Sequence, residues 1–277
     1  MLSNRKLLIA TKHEKETVIA PLLEMELGVK CFVAENFDTD VLGTFTGEIE
    51  RKDDPISTVR NKCLMAMEKE NCDMAVASEG SFGPHPSIFF VHGDELLLFI
   101  DKKNELEIFA RELSTDTNFN GKEIITEKQL IDFAKQVEFP IHGLIVRKAK
   151  EDFTEIVKNI TDWEKLKTTF QQFTEKYGTA FVETDMRAMY NPSRMKVIEK
   201  ATKKLIAKIN SCCPQCKTPG FSITDAKKGL QCMLCNFPTR STLSYIYTCK
   251  KCSYTKEEMY PNKITEEDPM YCDVCNP

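Results

Sequence analysis

The chain has 277 residues, of which 42% are hydrophobic and 29% charged, with a formal net charge of -4. That length suits one large domain plus a small one, and that composition excludes a disordered or fibrous chain. The longest uncharged apolar runs, such as residues 96–100, are strand-sized and fall far short of the roughly 20 residues a membrane helix needs.

Lys6–Ala10 reads as a short apolar strand, followed by an amphipathic helix to about Leu27 that Gly28 is placed to stop. Residues 29–34 read as a second strand. Residues 37–50 are polar and Thr/Gly-rich, a loop or an edge strand. Asp54 is positioned to cap a helix with Pro55 at its first position, and Ile56, Val59, Cys63 and Met67 then recur on one face. A buried-type strand at 74–77 runs into a Gly/Pro-rich loop at 78–86. Three strands at 88–91, 96–100 and 106–110 form a meander, with turns at 92–95 and 102–105. Thr126 and Gln129 make a capping box before a helix ending near Val137. A strand at 141–146 follows. A second capping box at Thr161 and Glu164 opens a helix to Tyr177, which Gly178 ends. A strand at 179–183 precedes Asn191-Pro192, which opens a long helix to about Asn210. This alternation predicts an α/β domain over residues 1–210, with a mixed sheet in an α/β/α-like arrangement.

Residues 211–277 are a different kind of chain. They hold four Cys-x-x-Cys pairs: Cys213/Cys216, Cys232/Cys235, Cys249/Cys252 and Cys272/Cys275. Two thiolates at this spacing present both sulfurs to one ion, and two such knuckles close a tetrahedral, zinc-preferring site. The expectation is a double zinc ribbon with two structural Zn sites. Sequential pairing is the first choice, and a crossed pairing of knuckles one with three and two with four stays open. Residues 1–15 carry basic residues but no apolar run of the secretory kind, so a cytoplasmic, reducing location is expected, where such pairs bind metal rather than form disulfides. Cys31, Cys63 and Cys72 read as core residues, and Cys212 as a bystander.

Three segments concentrate chemistry in the first 210 residues. Thr11 and Lys15 sit between the first strand and its helix, a natural place to grip phosphate. In the 78–86 loop, Glu79 is a candidate metal ligand or water activator, and Gly80 and Ser81 are candidate phosphate contacts. His13, His85 and Asp101 have more ordinary explanations as turn or strand-end residues. The segment from Glu183 to Arg194 ends a strand and opens a capped helix. Glu183 and Asp185 are candidate catalytic metal ligands there, and Arg187 and Arg194 candidate phosphate donors. The plainer reading of this segment is an Asn cap with a local Asp–Arg pair.

Residues 194–252 carry twelve Lys/Arg against Glu199 and Asp225. That excess makes a nucleic-acid partner an alternative, although thiolate-rich metal sites offset much of the charge.

Residues 10–16 (ATKHEKE), 43–48 (GTFTGE), 77–86 (ASEGSFGPHP), Glu183-Thr184-Asp185-Met186-Arg187 with Asn191-Pro192, and the cysteine tail together resemble an uncharacterised family known as a domain of unknown function, over essentially the whole chain. Over about the first 100 residues the order of elements is also similar to the inosine/xanthosine triphosphate pyrophosphatase superfamily. That resemblance implies a phosphate loop at Thr11 and Lys15, a middle helix bearing Arg60-Asn61-Lys62 and an acidic loop at Glu79-Gly80. The superfamily's asparagine is replaced by Lys12 or His13, and the cysteine tail is foreign to it.

The expected function is therefore a Mg²⁺- or Mn²⁺-dependent hydrolase of a nucleotide or another phosphorylated small molecule. The alternative is a non-enzymatic zinc-ribbon protein that binds nucleic acid or a protein partner.

Overall fold

The structure is a computed structural model that describes residues 2–34, 54–84 and 91–277. The polar segment expected at 37–50, His85 and most of the strand expected at 88–91 lie outside the described residues. β1 (Lys6–Ala10) is buried from Leu7 onward, as befits a strand covered on both faces. α1 (Glu16–Leu27) ends at Gly28, whose φ of 64° turns its N–H onto Glu24 O. After β2 (Lys30–Val33), α2 (Pro55–Lys69) starts where local chemistry dictates. The Asp54 carboxylate accepts from the Ile56 and Ser57 amides, and Pro55 occupies a position whose N–H would be unused.

β3 (Met74–Pro84), β4 (Val91–Asp101) and β5 (Leu106–Ser114) complete a five-stranded sheet of order β2-β1-β3-β4-β5. The first three strands are parallel and the last two pairings antiparallel. α2 packs Val59, Cys63, Ala66 and Met67 against Leu8, Ala10, Ala75, Ala77, Leu96 and Leu98. Truncating Met67 to Ala in this core would cost ~2–5 kcal/mol.

One expectation fails here. Residues 78–84 are strand, not loop, and residues 92–95 are strand, not turn. β3 and β4 stay in register from Met74↔Asp101 to Pro84↔Val91. The cross-strand pairing overrides the local turn preference of Gly80, Gly83 and Pro84.

The five-stranded sheet is the expected mixed sheet, and a second sheet accompanies it. β6 (Gly121–Ile124), β7 (Leu144–Ala149), β8 (Asp152–Ile160) and β9 (Ala180–Thr184) form a separate antiparallel sheet of order β6-β9-β7-β8. α3 (Glu127–Gln136) and α4 (Trp163–Tyr177) supply Leu130, Phe133, Leu166 and Phe170 to one core with Leu144, Val146, Ala180 and Val182. The capping box at Thr126 and Gln129 is present. α4 is capped by Asp162, which accepts from Lys165 N, rather than by the expected Thr161. α5 (Pro192–Asn210) opens at the expected proline.

The chain divides into two compact units, Met1–Ile206 and Ala207–Pro277. In the second, β10 (Ser222–Lys228), β12 (Thr242–Thr248) and β13 (Thr255–Met259) form an antiparallel sheet, and β11 (Gln231–Cys232) pairs in parallel with β14 (Glu266–Glu267). Its apolar cluster is little more than Phe221, Cys213 and Cys249 with Tyr247 and Tyr254. A unit this small needs staples beyond such a core. Among the described residues no helix is long and apolar enough to cross a membrane.

Candidate functional site

The sheet order reverses between β1 and β3, since the chain leaves β1 through α1 to β2 and returns through α2 to β3. In open α/β sheets the crevice beyond the carboxyl ends of strands at such a reversal is where ligands sit. The β1–β3 register ends at Ala10↔Ala77. Past that point Thr11 leaves the sheet, while Ser78, Glu79 and Gly80 continue beside β4.

Thr11, Lys15, Lys62, Ser78, Glu79, Glu95 and Arg194 are all buried. Lys15 Nζ donates to Ser78 Oγ at 2.9 Å. Lys62 and Glu79 form a short buried ion pair. Arg194 Nε donates to Glu95 Oε1 at 2.5 Å and its Nη1 to Met186 O at 2.5 Å, with its guanidinium 5.0 Å from the centre of the Phe82 ring. Burial, then the charge of Arg194, pushes Lys15 down to about 7, and Glu95, Lys62 and Glu79 also act on it. Thr11, Lys15, Glu79, Gly80 and Arg194 are thus brought into one neighbourhood.

Gly80 serves a different purpose from the one expected. A methyl group on it would overlap the Glu95 carboxylate and the Arg194 guanidinium, so the glycine makes room for that ion pair. Ser81 is half-buried in the β3–β4 ladder opposite Asp94. The start of α5 is also already engaged. Arg194 N donates to Asn191 Oδ1 at 2.9 Å, so that amide is not open to an anion.

The remaining predicted residues belong elsewhere. Glu183 takes Arg147 Nη2 at 2.9 Å, with Arg147 stacked over Phe153 and Phe181 at 4.6 and 5.0 Å. Burial raises the Glu183 carboxyl despite this partner. Asp185 is fully buried and held by Arg187, whose Nε lies at 3.0 Å, Nη2 at 2.5 Å and backbone N at 3.1 Å. Both acids are paired with arginines: Asp185 with Arg187 beside the Asn191 cap, as in the plainer reading, and Glu183 with the more distant Arg147. Asp101 likewise holds Arg5 through two hydrogen bonds and Asn104.

Two buried members of this neighbourhood were not picked out as site residues, Lys62 having been placed only on the middle helix. Lys62 lies between Val59 and Met67 on the buried stripe of α2, and a lysine at an apolar helical position is a readable signal. Glu95 looked like a turn residue. Its alternation with Leu97 and Phe99 marks an inward face once the strand is extended.

In the second unit the eight cysteines form two clusters: Cys213, Cys216, Cys249 and Cys252, and Cys232, Cys235, Cys272 and Cys275. All ligand atoms of each lie within 4.8 Å of one another. The pairing is crossed, against the first choice of sequential pairing. Strand register explains it. Ser222↔Thr248 brings the knuckle before β10 to the knuckle after β12. Cys232↔Glu267 brings the second knuckle to the fourth.

Sγ–Sγ separations of 3.5–3.9 Å, as in Cys216–Cys249 and Cys232–Cys275, exclude disulfides. They match the ~3.8 Å edge of a tetrahedron with metal–sulfur bonds of about 2.3 Å. Each knuckle closes by the same bond, from Lys217 N to Cys213 O, Asn236 N to Cys232 O, Ser253 N to Cys249 O and Asn276 N to Cys272 O, at 2.8–2.9 Å. The Thr218 hydroxyl, 3.2 Å from Cys216 Sγ, and the Thr218 amide pull that thiol down to about 6, which favours the metal-binding thiolate.

No curated protein matches this sequence. The family model described as "Domain of unknown function (DUF6671)" matches residues 62–277, a span from Lys62 through Glu79, Glu95, Arg194 and all eight clustered cysteines. The chain belongs to that family.

Proposed function

We propose that the first unit binds a nucleotide or another phosphorylated small molecule at the β1–β3 reversal and hydrolyses a phosphoanhydride with Mg²⁺ or Mn²⁺. The observation that carries this reading is the burial of Lys15, Glu95 and Arg194 on one face of the β3–β4 ladder, with the buried Lys62–Glu79 pair on its other face, at the carboxyl end of the parallel strands. Buried ion pairs contribute little net stability compared with well-packed apolar residues. Five ionisable groups retained at a ligand-binding position are therefore better explained by chemistry than by packing.

The donor set fits a hard cation beside phosphate. Glu95 Oε2 and Thr11 Oγ1 are buried without a hydrogen-bond partner among the described residues, and oxygen ligands suit Mg²⁺ and Mn²⁺. Glu95 would hold the cation through its unpartnered Oε2, in place of the Glu183 and Asp185 expected from sequence, while Glu79 lies on the other face of the β3–β4 ladder, paired with Lys62. A cation bound there supplies charge neutralisation and lowers the pKa of a bound water. Lys15 and Arg194 bind and orient phosphate oxygens, with Thr11 and Ser78 as hydroxyl donors. An arriving phosphate raises Lys15 from about 7, so ligand binding takes up a proton at neutral pH.

In the second unit we infer Zn²⁺ as the resident ion, in a reducing compartment such as the cytoplasm. Its closed four-sulfur sites leave no open position, so its role is structural.

The test is phosphate and pyrophosphate release from a nucleoside-triphosphate panel with Mg²⁺ or Mn²⁺, comparing wild type with Glu95→Gln. Metal-dependent release that vanishes in the variant supports the reading. Absence of both release and ligand-induced thermal stabilisation in folded wild type overturns it.

A further inference from the structure

We propose that Ser193, His142 and Glu138 form a nucleophilic triad that transfers acyl groups, separate from the buried ionic cluster. His142 Nε2 lies 3.0 Å from Ser193 Oγ. Its other nitrogen, Nδ1, lies 3.6 Å from Glu138 Oε2. A hydroxyl, an imidazole and an orienting carboxylate in this order are the elements of an activated serine, and such contacts are often looser before substrate arrives.

Three features favour chemistry over packing. First, Ser193 is half-buried while His142 is only 2% exposed, so the base is withdrawn from water and the nucleophile is reachable. Second, burial holds His142 below its ordinary value, and Lys196 pushes the same way against the opposing effect of Glu138. The imidazole is therefore neutral at pH 7 and able to accept a proton. His142 Nδ1 has no hydrogen-bond partner among the described residues, so the Glu138 carboxylate must close from 3.6 Å and hold the proton on Nδ1, with the Nε2 lone pair toward Ser193 Oγ.

Third, Glu138 occupies an unfavourable backbone position. It follows α3 with φ of 59°, and its N–H and that of Phe139 close back onto Lys135 O and Ala134 O. Glycine or asparagine is preferred at such a helix end.

The site also has an anion-stabilising side. Ser193 lies in the first turn of α5, where backbone N–H groups have no intrahelical acceptor. Pro192 has no N–H and Asn191 Oδ1 takes that of Arg194, which leaves the Ser193 amide. The positive end of the helix and the charge of Lys196 favour a developing oxyanion there.

In the proposed step Ser193 Oγ bonds to the carbonyl carbon of an ester or thioester, and its proton passes to His142 Nε2. The leaving alkoxide or thiolate departs with that proton, giving acyl-Ser193. Water then adds to the acyl carbon, gives a proton to the same nitrogen, and releases the carboxylic acid as Ser193 recovers its hydrogen. Ser193 and His142 are the catalytic residues. Glu138 is a positioning residue, and its exposure (69% for the side chain) makes its contribution the smallest of the three.

The experiment is labelling of the full, metal-loaded chain with a fluorophosphonate probe, read by intact mass and peptide mapping, alongside p-nitrophenyl acetate hydrolysis. The expected result is one adduct on Ser193, absent in Ser193→Ala and slowed at least about 100-fold in His142→Gln. Labelling is unchanged by added Mg²⁺ or by a nucleoside triphosphate, which separates this site from the phosphate reading. Glu138→Gly supplies a readout that a packing role would not produce, with a higher Tm from relief of the left-handed backbone and slower labelling. No adduct on folded wild type, an adduct on another residue, or unchanged labelling in Glu138→Gly with unchanged labelling in His142→Gln each overturns the proposal.

Discussion

Glu95 and Arg194 lie 99 positions apart in sequence and meet in the interior, with both side chains wholly withdrawn from solvent and Arg194 Nε 2.5 Å from Glu95 Oε1. The pair joins the β4 strand to the start of α5. Removing one partner strands a buried charge, whereas removing both removes the conflict. Arg194→Met should therefore cost ~3–5 kcal/mol, and adding Glu95→Leu should recover a large part of it. Urea midpoints for the two single variants and the double variant measure the coupling. Additive losses would mean that the two charges do not depend on each other.

Gly80 supplies the space that this pair needs. Gly80→Ala should cost ~1–3 kcal/mol by overpacking. In an Arg194→Met background the cost should shrink, because the guanidinium that the new methyl would strike is gone. An undiminished cost would place the strain in the backbone instead. The readout is again the denaturation midpoint.

Lys15 gives a pH-dependent prediction whose sign follows from its buried state. Its folded value is about 7 against an ordinary 10.5. Between those limits the unfolded chain binds more protons, so the lysine's contribution to stability rises with pH from about 7 to 10.5. Below 7 the native state carries the full cost of a buried charge, at most ~4–5 kcal/mol at 1.36 kcal/mol per unit. Lys15→Met should therefore be more stable than wild type at pH 6, with the advantage shrinking steadily toward pH 10. Thermal melts across that range check it. An advantage independent of pH would mean that Lys15 is not titrating in the interior.

The helix boundaries were legible because caps are local chemistry. Asp54-Pro55, Thr126 with Gln129, Gly178 and Asn191-Pro192 each act within about four residues, and each marks a helix end in the fold. The strands were read less well because pairing is not local. Gly80, Gly83 and Pro84 signal a turn by themselves, yet eleven residues of β4 hold them extended. β8 went unread because Asp152-Phe153-Thr154-Glu155 lacks clean alternation, and its place depends on β7 across the hairpin.

The same distinction governs the sites. Thr11, Lys15 and Glu79 stood out by position after strands. Glu183 and Asp185 stood out equally but are held by Arg147 and Arg187. Which acids share a crevice depends on which strands meet, and residue types alone do not carry that information.

The crossed cysteine pairing makes a prediction by ion count. Cys216 and Cys252 belong to one cluster, while Cys216 and Cys235 belong to different ones. Wild type should hold two zinc ions. Cys216→Ser/Cys252→Ser damages a single site and should retain one ion. Cys216→Ser/Cys235→Ser damages both and should lose both, or hold them weakly enough for a mild chelator to strip them. Sequential pairing predicts the reverse assignment for the two double variants, so elemental analysis of the purified proteins distinguishes the arrangements directly. The second unit should also lose its cooperative melt when both ions are removed, since Phe221 with its two tyrosine neighbours is too small a core to hold 71 residues folded.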